Sequence, residues 1–289
     1  MRRFLQCLAF VVLLAGALWV PLRTAGRGSG PRIEWMRVAM DGSRTGVQSV
    51  TAENVDWALG TFSDDFYLAP NGARFGLESP VASVAAALME VQPRMAHLKQ
   101  VVGHSARMMP NLRTEPETEL SNLFADALRA KGADYFGVPM DFALTNFGGI
   151  RCPLPEGAVT LEDIESMFPF KNYMVYAKMR GSELLRLFDQ LASTQAFQAV
   201  SGARVKVKAH QVVSAEIGGE PVDPERLYNV TTIDFLLDGG DRIAIGAMSE
   251  DVVLSHVLLK DVMLEFVQNK EASGELIDSR KDGRVIMED

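Results

Sequence analysis

Cysteine is almost absent from this sequence, and its scarcity limits how the fold can be stabilised. The chain has two cysteines, Cys7 and Cys152, and Cys7 lies in an apolar N-terminal stretch that we expect to be removed. The single remaining thiol can form neither an intrachain disulfide nor a cysteine-based metal site. We therefore expect side-chain packing alone to hold the fold together.

Histidine is also scarce, and its spacing excludes the usual arrangements of a metal-dependent hydrolase. None of the four histidines belongs to an Asp-x-His or Asn-His-Glu motif that could bring two metal ions together. The sequence contains no Gly-x-Ser-x-Gly nucleophile motif and no Gly-x-x-x-x-Gly-Lys-Ser/Thr phosphate loop. We therefore assign no catalytic residue and no metal ligand to this chain, and expect no cofactor in it.

Basic residues are in the minority, which argues against nucleic acid as a partner. The formal net charge is -8 at pH 7, from 29 lysines and arginines against 37 acids. Residues 1–26 contain three arginines and no acid, so their removal would lower the charge to -11. An acidic domain repels polyanions such as DNA and RNA.

The first 26 residues differ in composition from the rest of the chain. Two arginines precede a largely uncharged apolar stretch from Phe4 to Leu22, which is typical of an export signal or a short membrane anchor. We favour a signal peptide that is removed, and expect membrane contact only if the segment is retained. The protein should then be extracytoplasmic, either periplasmic or secreted. Residues 27–78 are expected to form a glycine-rich tether and an extension without a recognisable motif.

Hydrophobic periodicity from about residue 100 predicts an α+β fold, with a mixed sheet and helices packed outside it. Thr114 and Glu117 have the spacing of a capping box, which predicts a helix that begins at Thr114 and ends at Gly132. The glycine pair 218–219 follows two alternating segments and predicts a hairpin turn. Residues 251–268 are predicted to form one long buried helix.

Three segments place polar groups beside an aromatic residue, in a loop or after a predicted strand. They are TNFGGIR (145–151), MFPFKN (167–172) and IDFLLDGGD (233–241). Each segment alone also fits an ordinary structural role: a glycine turn with an exposed arginine, a proline turn between core phenylalanines, and a solvated turn after a strand.

Taken together, these segments resemble the C-terminal, substrate-specificity domain of the 5'-nucleotidase family. Further stretches match that domain in the same order, including ETELSNLFADAL (117–128), GSELL (181–185) and AVSGARVKV (199–207). The resemblance covers about residues 100–260. It implies that residues 79–289 form one domain with the layered fold of that family, in a protein of nucleotide catabolism.

The resemblance implies a nucleobase site. By their positions in the matched motifs, Phe170 and Phe235 would be two aromatic plates that sandwich the base. Stacking on a planar base is worth about 1–3 kcal/mol per ring and tolerates different bases. Asn172 would read the edge of the base, because its amide offers both a donor and an acceptor.

The resemblance also implies a sugar and phosphate end of the site. Asp241 would accept hydrogen bonds from the ribose hydroxyls, and Asn146 and Arg151 would line the phosphate end, where a guanidinium can bind an anion. The glycines of the first segment would let the backbone pass close to the ligand. One departure concerns Arg242, which follows Asp241 where family members commonly have glycine.

The metallophosphatase domain of the family, which carries the two metal ions and performs hydrolysis, has no counterpart here. We therefore expect a nucleoside or nucleoside monophosphate to bind this chain as the specificity subunit of a split 5'-nucleotidase. Divalent metals are then expected only on a separate metallophosphatase subunit. A stand-alone nucleoside-binding protein is the main alternative, followed by a remnant that binds nothing and an independent hydrolase with an unrecognised site.

Overall fold

A computed structural model describes residues 59–112, 114–193 and 197–288. The predicted export signal or anchor, residues 1–26, and most of the predicted tether and extension lie outside these ranges. Within them, the α-helices are α1 (Pro80–Met95), α2 (Glu119–Phe136), α3 (Leu161–Met167), α4 (Gly181–Ala192) and α5 (Leu259–Ala272). None of the described helices is long and apolar enough to span a membrane.

The strands of the described residues form four sheets. They are β1 (Thr61–Phe62), β2 (Phe66–Leu68), β3 (Arg74–Gly76), β4 (Val101–Ser105), β5 (Phe142–Thr145), β6 (Gly157–Thr160), β7 (Tyr173–Arg180), β8 (Ala199–Ser201), β9 (Ala203–Lys208), β10 (Gln211–Ile217), β11 (Glu220–Pro221), β12 (Leu227–Ile233), β13 (Ser249–Leu258) and β14 (Val285–Glu288). A three-stranded sheet has the order β1-β2-β3, and β4 pairs with β6. A four-stranded sheet has the order β11-β10-β9-β14, and its β10–β11 hairpin turns at the predicted glycine pair, whose φ angles are positive.

The central sheet has five strands in the order β13-β7-β12-β5-β8. Strands β5 and β12 run parallel, with Val230 opposite Phe142, whereas the other neighbouring pairs run antiparallel. Residues 230–233 of β12 are all buried, as expected for a central strand covered on both faces. This mixed sheet with helices packed on it confirms the predicted α+β class.

One large apolar core joins the central sheet to the helices. Helix α2 contacts β8 and α5, and α4 contacts β10. Phe142 of β5 meets Phe188 of α4 edge to face, with ring centroids 5.4 Å apart. Full burial of such a side chain contributes about 1.5–3 kcal/mol, so this core dominates the stability of the described residues.

Residues 59–95 form a smaller unit with its own apolar cluster. Tyr67 of β2 packs against one face of α1, where Ala82 and Ala85 are buried. The helix begins at Ser79, whose hydroxyl accepts a hydrogen bond from the backbone N–H of Ala82, and Pro80 occupies its first position. A second face of α1 carries an exposed apolar row: Val81, Val84, Leu88, Val91 and Met95.

The predicted start and end of the second helix are wrong. Helix α2 begins after Thr118, whose hydroxyl and the Ser121 side chain form the actual capping box. Glu117 instead accepts hydrogen bonds from backbone N–H groups of the C-terminal segment, at 2.8 Å from Gly283 N. The helix does not end at Gly132 but passes through it. A Cβ at this position would lie 2.8 Å from the Thr231 side chain, so the glycine permits close packing of α2 on β12. It ends at Gly137, which adopts the left-handed conformation at φ 69°.

The predicted long helix at 251–268 is also wrong in its first half. Residues 249–258 form the edge strand β13, and α5 begins only at Leu259. The apolar residues of this stretch fit a helical period, but Val252, Val253 and Val257 are β-branched and favour a strand. Pairing with β7 decides the conformation, which single-sequence periodicity does not show.

Candidate ligand-binding site

The sheet topology brings the three polar segments to one edge of the central sheet. Because β5 and β12 are parallel neighbours, both end at the same edge, and residues 146–151 and 234–241 follow them there. Strand β7 runs antiparallel to β12, with Met174 opposite Ile233, so β7 begins at that edge. Residues 167–172, which precede β7, therefore arrive at the same place.

Direct contacts join the first segment to the other two. The Asn146 amide Nδ2 donates a hydrogen bond to Asp241 Oδ2 at 2.9 Å, across 95 residues of sequence. The backbone N–H of Arg151 donates to the carbonyl of Met167 at 2.9 Å. The three segments thus form one structural unit.

Asn146 is the most buried of the six predicted site residues, with 5% of its surface exposed. Its Nδ2 points to a carboxylate, and a flipped amide would place two oxygens against each other, so the orientation is fixed. Its Oδ1 is buried without a hydrogen-bond partner among the described residues. A buried acceptor without a partner is uncommon in proteins and marks this position as functionally or structurally special.

The glycine pair of the first segment makes room for the Asn146 side chain. A Cβ at Gly149 would lie 2.7 Å from Asn146 Oδ1, and one at Gly148 would lie 3.1 Å from Asn146 Nδ2. The sequence suggested that these glycines let the backbone approach a ligand. The structure gives them a second and more direct reason, which is the packing of Asn146 itself.

Phe235 and Asn172 line a surface depression of about 480 Å³. The Phe235 ring is 42% exposed, and it packs against Gly240, where a Cβ would lie 2.6 Å from two ring atoms. The Asn172 carbonyl accepts a hydrogen bond from Leu259 N, whereas its side-chain amide makes no hydrogen bond to another described residue. The packed Phe235 ring and the side-chain amide of Asn172 therefore line the same depression.

Phe170 is also exposed, at 49%, whereas its neighbour Phe168 is buried against Phe124. The Arg151 guanidinium carbon lies 5.7 Å from the centroid of the Phe170 ring, within the range of a cation–π contact. Arg151 Nη1 also donates to the carbonyl of Gly148 at 3.3 Å. Neither Phe170 nor Phe235 makes a ring contact with another described aromatic residue, so both rings leave surface for a ligand.

Asp234 and Asp238 also line the depression, and sequence reasoning did not select them. Both lie in the third segment, where they looked like ordinary turn residues. Asp241 and Arg242 follow with positive φ angles of 50° and 65°, an uncommon conformation for residues other than glycine. No group of three or more His, Cys, Asp or Glu side chains that could hold a metal occurs among the described residues.

Comparison with known proteins identifies the family. The family model described as "5'-nucleotidase, C-terminal domain" matches residues 100–247, which is about half of the chain. The chain belongs to the 5'-nucleotidase C-terminal domain family. All six predicted site residues lie within the matched range.

Relatives of this 5'-nucleotidase C-terminal domain are much longer than the present chain. A cell wall protein of Listeria monocytogenes, Lmo0130, is 27% identical over 188 residues, which cover 60% of this chain and 24% of that protein. Protein UshA of Yersinia enterocolitica is 30% identical over 154 residues, covering 52% and 28%. The chain thus spans about a quarter of the length of these relatives.

A solved structure shows the same fold over a larger share of the chain. The 5'-nucleotidase precursor of Thermus thermophilus matches with a TM-score of 0.65 and 25% identity. The match covers 76% of this chain and 45% of that one. It therefore confirms the predicted layered fold of a 5'-nucleotidase C-terminal domain.

Proposed function

We propose that this chain is the nucleoside- or nucleotide-binding specificity subunit of a split 5'-nucleotidase that acts in extracytoplasmic nucleotide catabolism. Hydrolysis of the phosphate ester would be performed with a separate metallophosphatase. The observation that carries the proposal is the convergence of three polar segments, with two exposed phenylalanine rings, at one edge of the central sheet.

The base would bind against Phe235 and Phe170. Both rings are about half exposed, and the Phe235 ring is braced from behind by Gly240, so stacking would require little rearrangement. Asn172, whose amide is free beside Phe235, would donate to and accept from the edge of the base. Membership of the 5'-nucleotidase family supports a nucleobase over another planar ligand.

The ribose would bind at Asp241 and the phosphate near Arg151. The bond from Asn146 fixes one oxygen of the Asp241 carboxylate and leaves the other for the ribose hydroxyls. Arg151 contacts the carbonyl of Gly148 and the Phe170 ring, so its guanidinium would lie near a base stacked on that ring. A guanidinium there would bind an anion through charge-assisted hydrogen bonds.

The proposal that a separate metallophosphatase performs the hydrolysis rests on the sequence of this chain. Its four histidines are isolated, and no motif places two metal ions side by side. In this proposal the chain selects the base and presents the phosphate to metal ions on the partner. A stand-alone nucleoside-binding protein would use the same site without that partner.

Calorimetry with adenosine and AMP tests the binding site. Phe235→Ala and Phe170→Ala should each weaken binding by about 1–3 kcal/mol, because each removes one stacking surface. Tyr135→Ala is the matched control, since Tyr135 is an aromatic residue of similar exposure, 46%. It lies at the end of α2, before β5 begins, whereas the proposed site lies where β5 ends. Absence of heat with these ligands and also with guanosine, inosine and uridine would refute the proposed function.

Incubation with AMP and Mg²⁺ or Mn²⁺ tests the division of labour. The purified chain alone should release no phosphate, and release should begin when a metallophosphatase encoded beside it is added. Steady release by the chain alone would contradict the split enzyme. Binding without any stimulation by such a partner would favour the stand-alone binding protein.

The extracytoplasmic location is supported by a relative named as a cell wall protein. Cell fractionation of a host that expresses the full chain measures it directly. The protein should appear outside the cytoplasm, and its mass should show whether residues 1–26 have been removed. Recovery in the cytoplasmic fraction only would contradict this part of the proposal.

A further inference from the structure

Two carboxylates, those of Asp234 and Asp238, line the same depression as Phe235 and lie on or just after a short helical segment. Asp234–Leu236 is a 3-10 helix, and Leu237 continues in the right-handed helical region. In helical backbone, residues three and four apart are neighbours on one side. Asp238 therefore lies beside both Phe235 and Asp234, and all three line the 480 Å³ depression.

These carboxylates are available to a ligand. Asp238 is exposed and makes no hydrogen bond to another described residue. Asp234 Oδ1 accepts from Phe235 N at 2.8 Å, which leaves Oδ2 without a described partner. An ionised carboxylate can only accept hydrogen bonds. The space beside the ring is therefore rich in acceptors, and among the residues that the structure describes Asn172 has the only neutral polar side chain that lines it.

We propose that Asp238, assisted by Asp234, makes this site select a base whose edge carries adjacent N–H donors, with guanine the preferred base. The inference rests on the proposed function, since it assumes that a nucleobase stacks on Phe235. It adds to the proposed function a preference among bases. The two phenylalanines do not supply such a preference, because stacking tolerates every base.

The donor pattern of guanine explains the preference. Its ring N–H and its 2-amino group point in the same direction and can pair with the two oxygens of one carboxylate, as a guanidinium does. Hypoxanthine lacks the amino group, and adenine places a ring acceptor beside its amino group. An acceptor that faces a carboxylate leaves both groups unsatisfied and is penalised.

Asp238 should contribute more to selection than Asp234. The Asp234 carboxylate is already engaged with the backbone and is partly buried, whereas Asp238 is free to turn toward the ligand. We therefore expect substitution of Asp238 to affect discrimination between bases without disturbing the short helix that carries Phe235.

Calorimetry of the purified full chain with guanosine, inosine, adenosine and uridine tests the inference. Guanosine should bind about tenfold more tightly than inosine, the loss expected for one charge-assisted hydrogen bond. Asp238→Asn should remove most of this difference by weakening guanosine about tenfold more than inosine, which has only the ring N–H to lose, with adenosine and uridine changed by less than about twofold.

The control variant is Asp65→Asn, since Asp65 is exposed in the loop between β1 and β2 and makes no hydrogen bond to another described residue. It should leave all four affinities unchanged. Equal binding of the four nucleosides by the unmodified chain would overturn the inference and leave the proposed function intact. Equal weakening of all four by Asp238→Asn would also overturn it. Binding of none would overturn both.

Discussion

At the scale of single residues, the Asn146 side chain is fixed from two sides. Asp241 accepts its N–H, and the bare Cα atoms of Gly148 and Gly149 give it space. Its carbonyl oxygen has no partner among the described residues. The position of the Asp241 carboxylate, which we propose binds the ribose, therefore depends on Gly148 and Gly149, which need not contact a ligand.

Gly149→Ala tests this dependence. The new methyl group would lie 2.7 Å from Asn146 Oδ1, so the amide has to move and its bond to Asp241 is strained or broken. We expect nucleoside affinity to fall by about tenfold and the free energy of unfolding by about 1–3 kcal/mol. Calorimetry and urea unfolding measure the two effects.

Gly76→Ala is the control for that variant, because a Cβ at this position meets nothing within 4 Å. It should change neither affinity nor stability by a comparable amount. Unchanged nucleoside affinity in Gly149→Ala would show that Asn146 does not position Asp241.

At the scale of elements, the start of α2 shows which cap the fold uses. Thr118 is buried, and its hydroxyl accepts from Ser121 N at 3.0 Å. Thr114, which has an equally good capping pattern in the sequence, lies before the helix and is exposed. Pro116 contributes to this choice, because the residue before a proline is disfavoured in helical conformation.

Thr118→Ala should lower the free energy of unfolding by about 1 kcal/mol, the usual cost of losing an N-cap. Thr114→Ala should leave it nearly unchanged. The midpoint of urea unfolding at constant slope measures both variants. A larger effect at Thr114 would contradict the helix start described here.

Most elements could be predicted from sequence, and the failures share a physical cause. The glycine pair at 218–219 forms a hairpin turn as predicted, and the two alternating segments before it form strands β9 and β10. The prediction failed at Gly132 and at residues 251–258, where packing against β12 and pairing with β7 decide the outcome. Such partners are distant in sequence, and local periodicity does not register them.

At the scale of the whole molecule, Arg284 connects the C-terminal strand to the core. Its guanidinium donates to Asp126 on α2 at 2.9 Å, to Asp282 at 2.8 Å and to the carbonyl of Val200 at 3.0 Å. The side chain is 11% exposed, and these bonds keep its pKa above the usual value although burial opposes the charge. Arg284 thus ties β14, α2 and β8 together.

This cluster predicts an acid-sensitive contribution to stability. The hydrogen bond from Arg284 lowers the pKa of Asp282 below that of an unfolded aspartate. The contribution of Asp282 to the free energy of unfolding is therefore complete above about pH 4, the pKa of an unfolded aspartate. It is lost as the pH falls through the lower pKa that Asp282 has in the folded protein. Urea unfolding between pH 7 and pH 2 should show this loss, and Asp282→Asn should reduce it.

Asp65→Asn serves again as the control, since Asp65 has no partner among the described residues. Its pH profile should follow that of the unmodified chain. If Asp282→Asn shows the same decline in stability with acid as the unmodified chain, the Arg284 cluster is not its source.

The six proposed site residues were selected by the order of their motifs along the sequence, and their role stays a prediction. Their convergence could not, since it follows from the parallel pairing of β5 with β12 and the antiparallel entry of β7. Asp234 and Asp238 were missed for a related reason. Only the fold of the turn after β12 brings both carboxylates to the depression that Phe235 lines.

The bond between Asn146 and Asp241 spans 95 residues, and this separation has a consequence for how the protein is handled. A chain cut in the exposed turn between β9 and β10, at residues 209–210, would leave each half with one end of the contact. Under the proposed function, nucleoside affinity would measure whether both halves have come together, and it could be used to follow refolding or to grade a preparation.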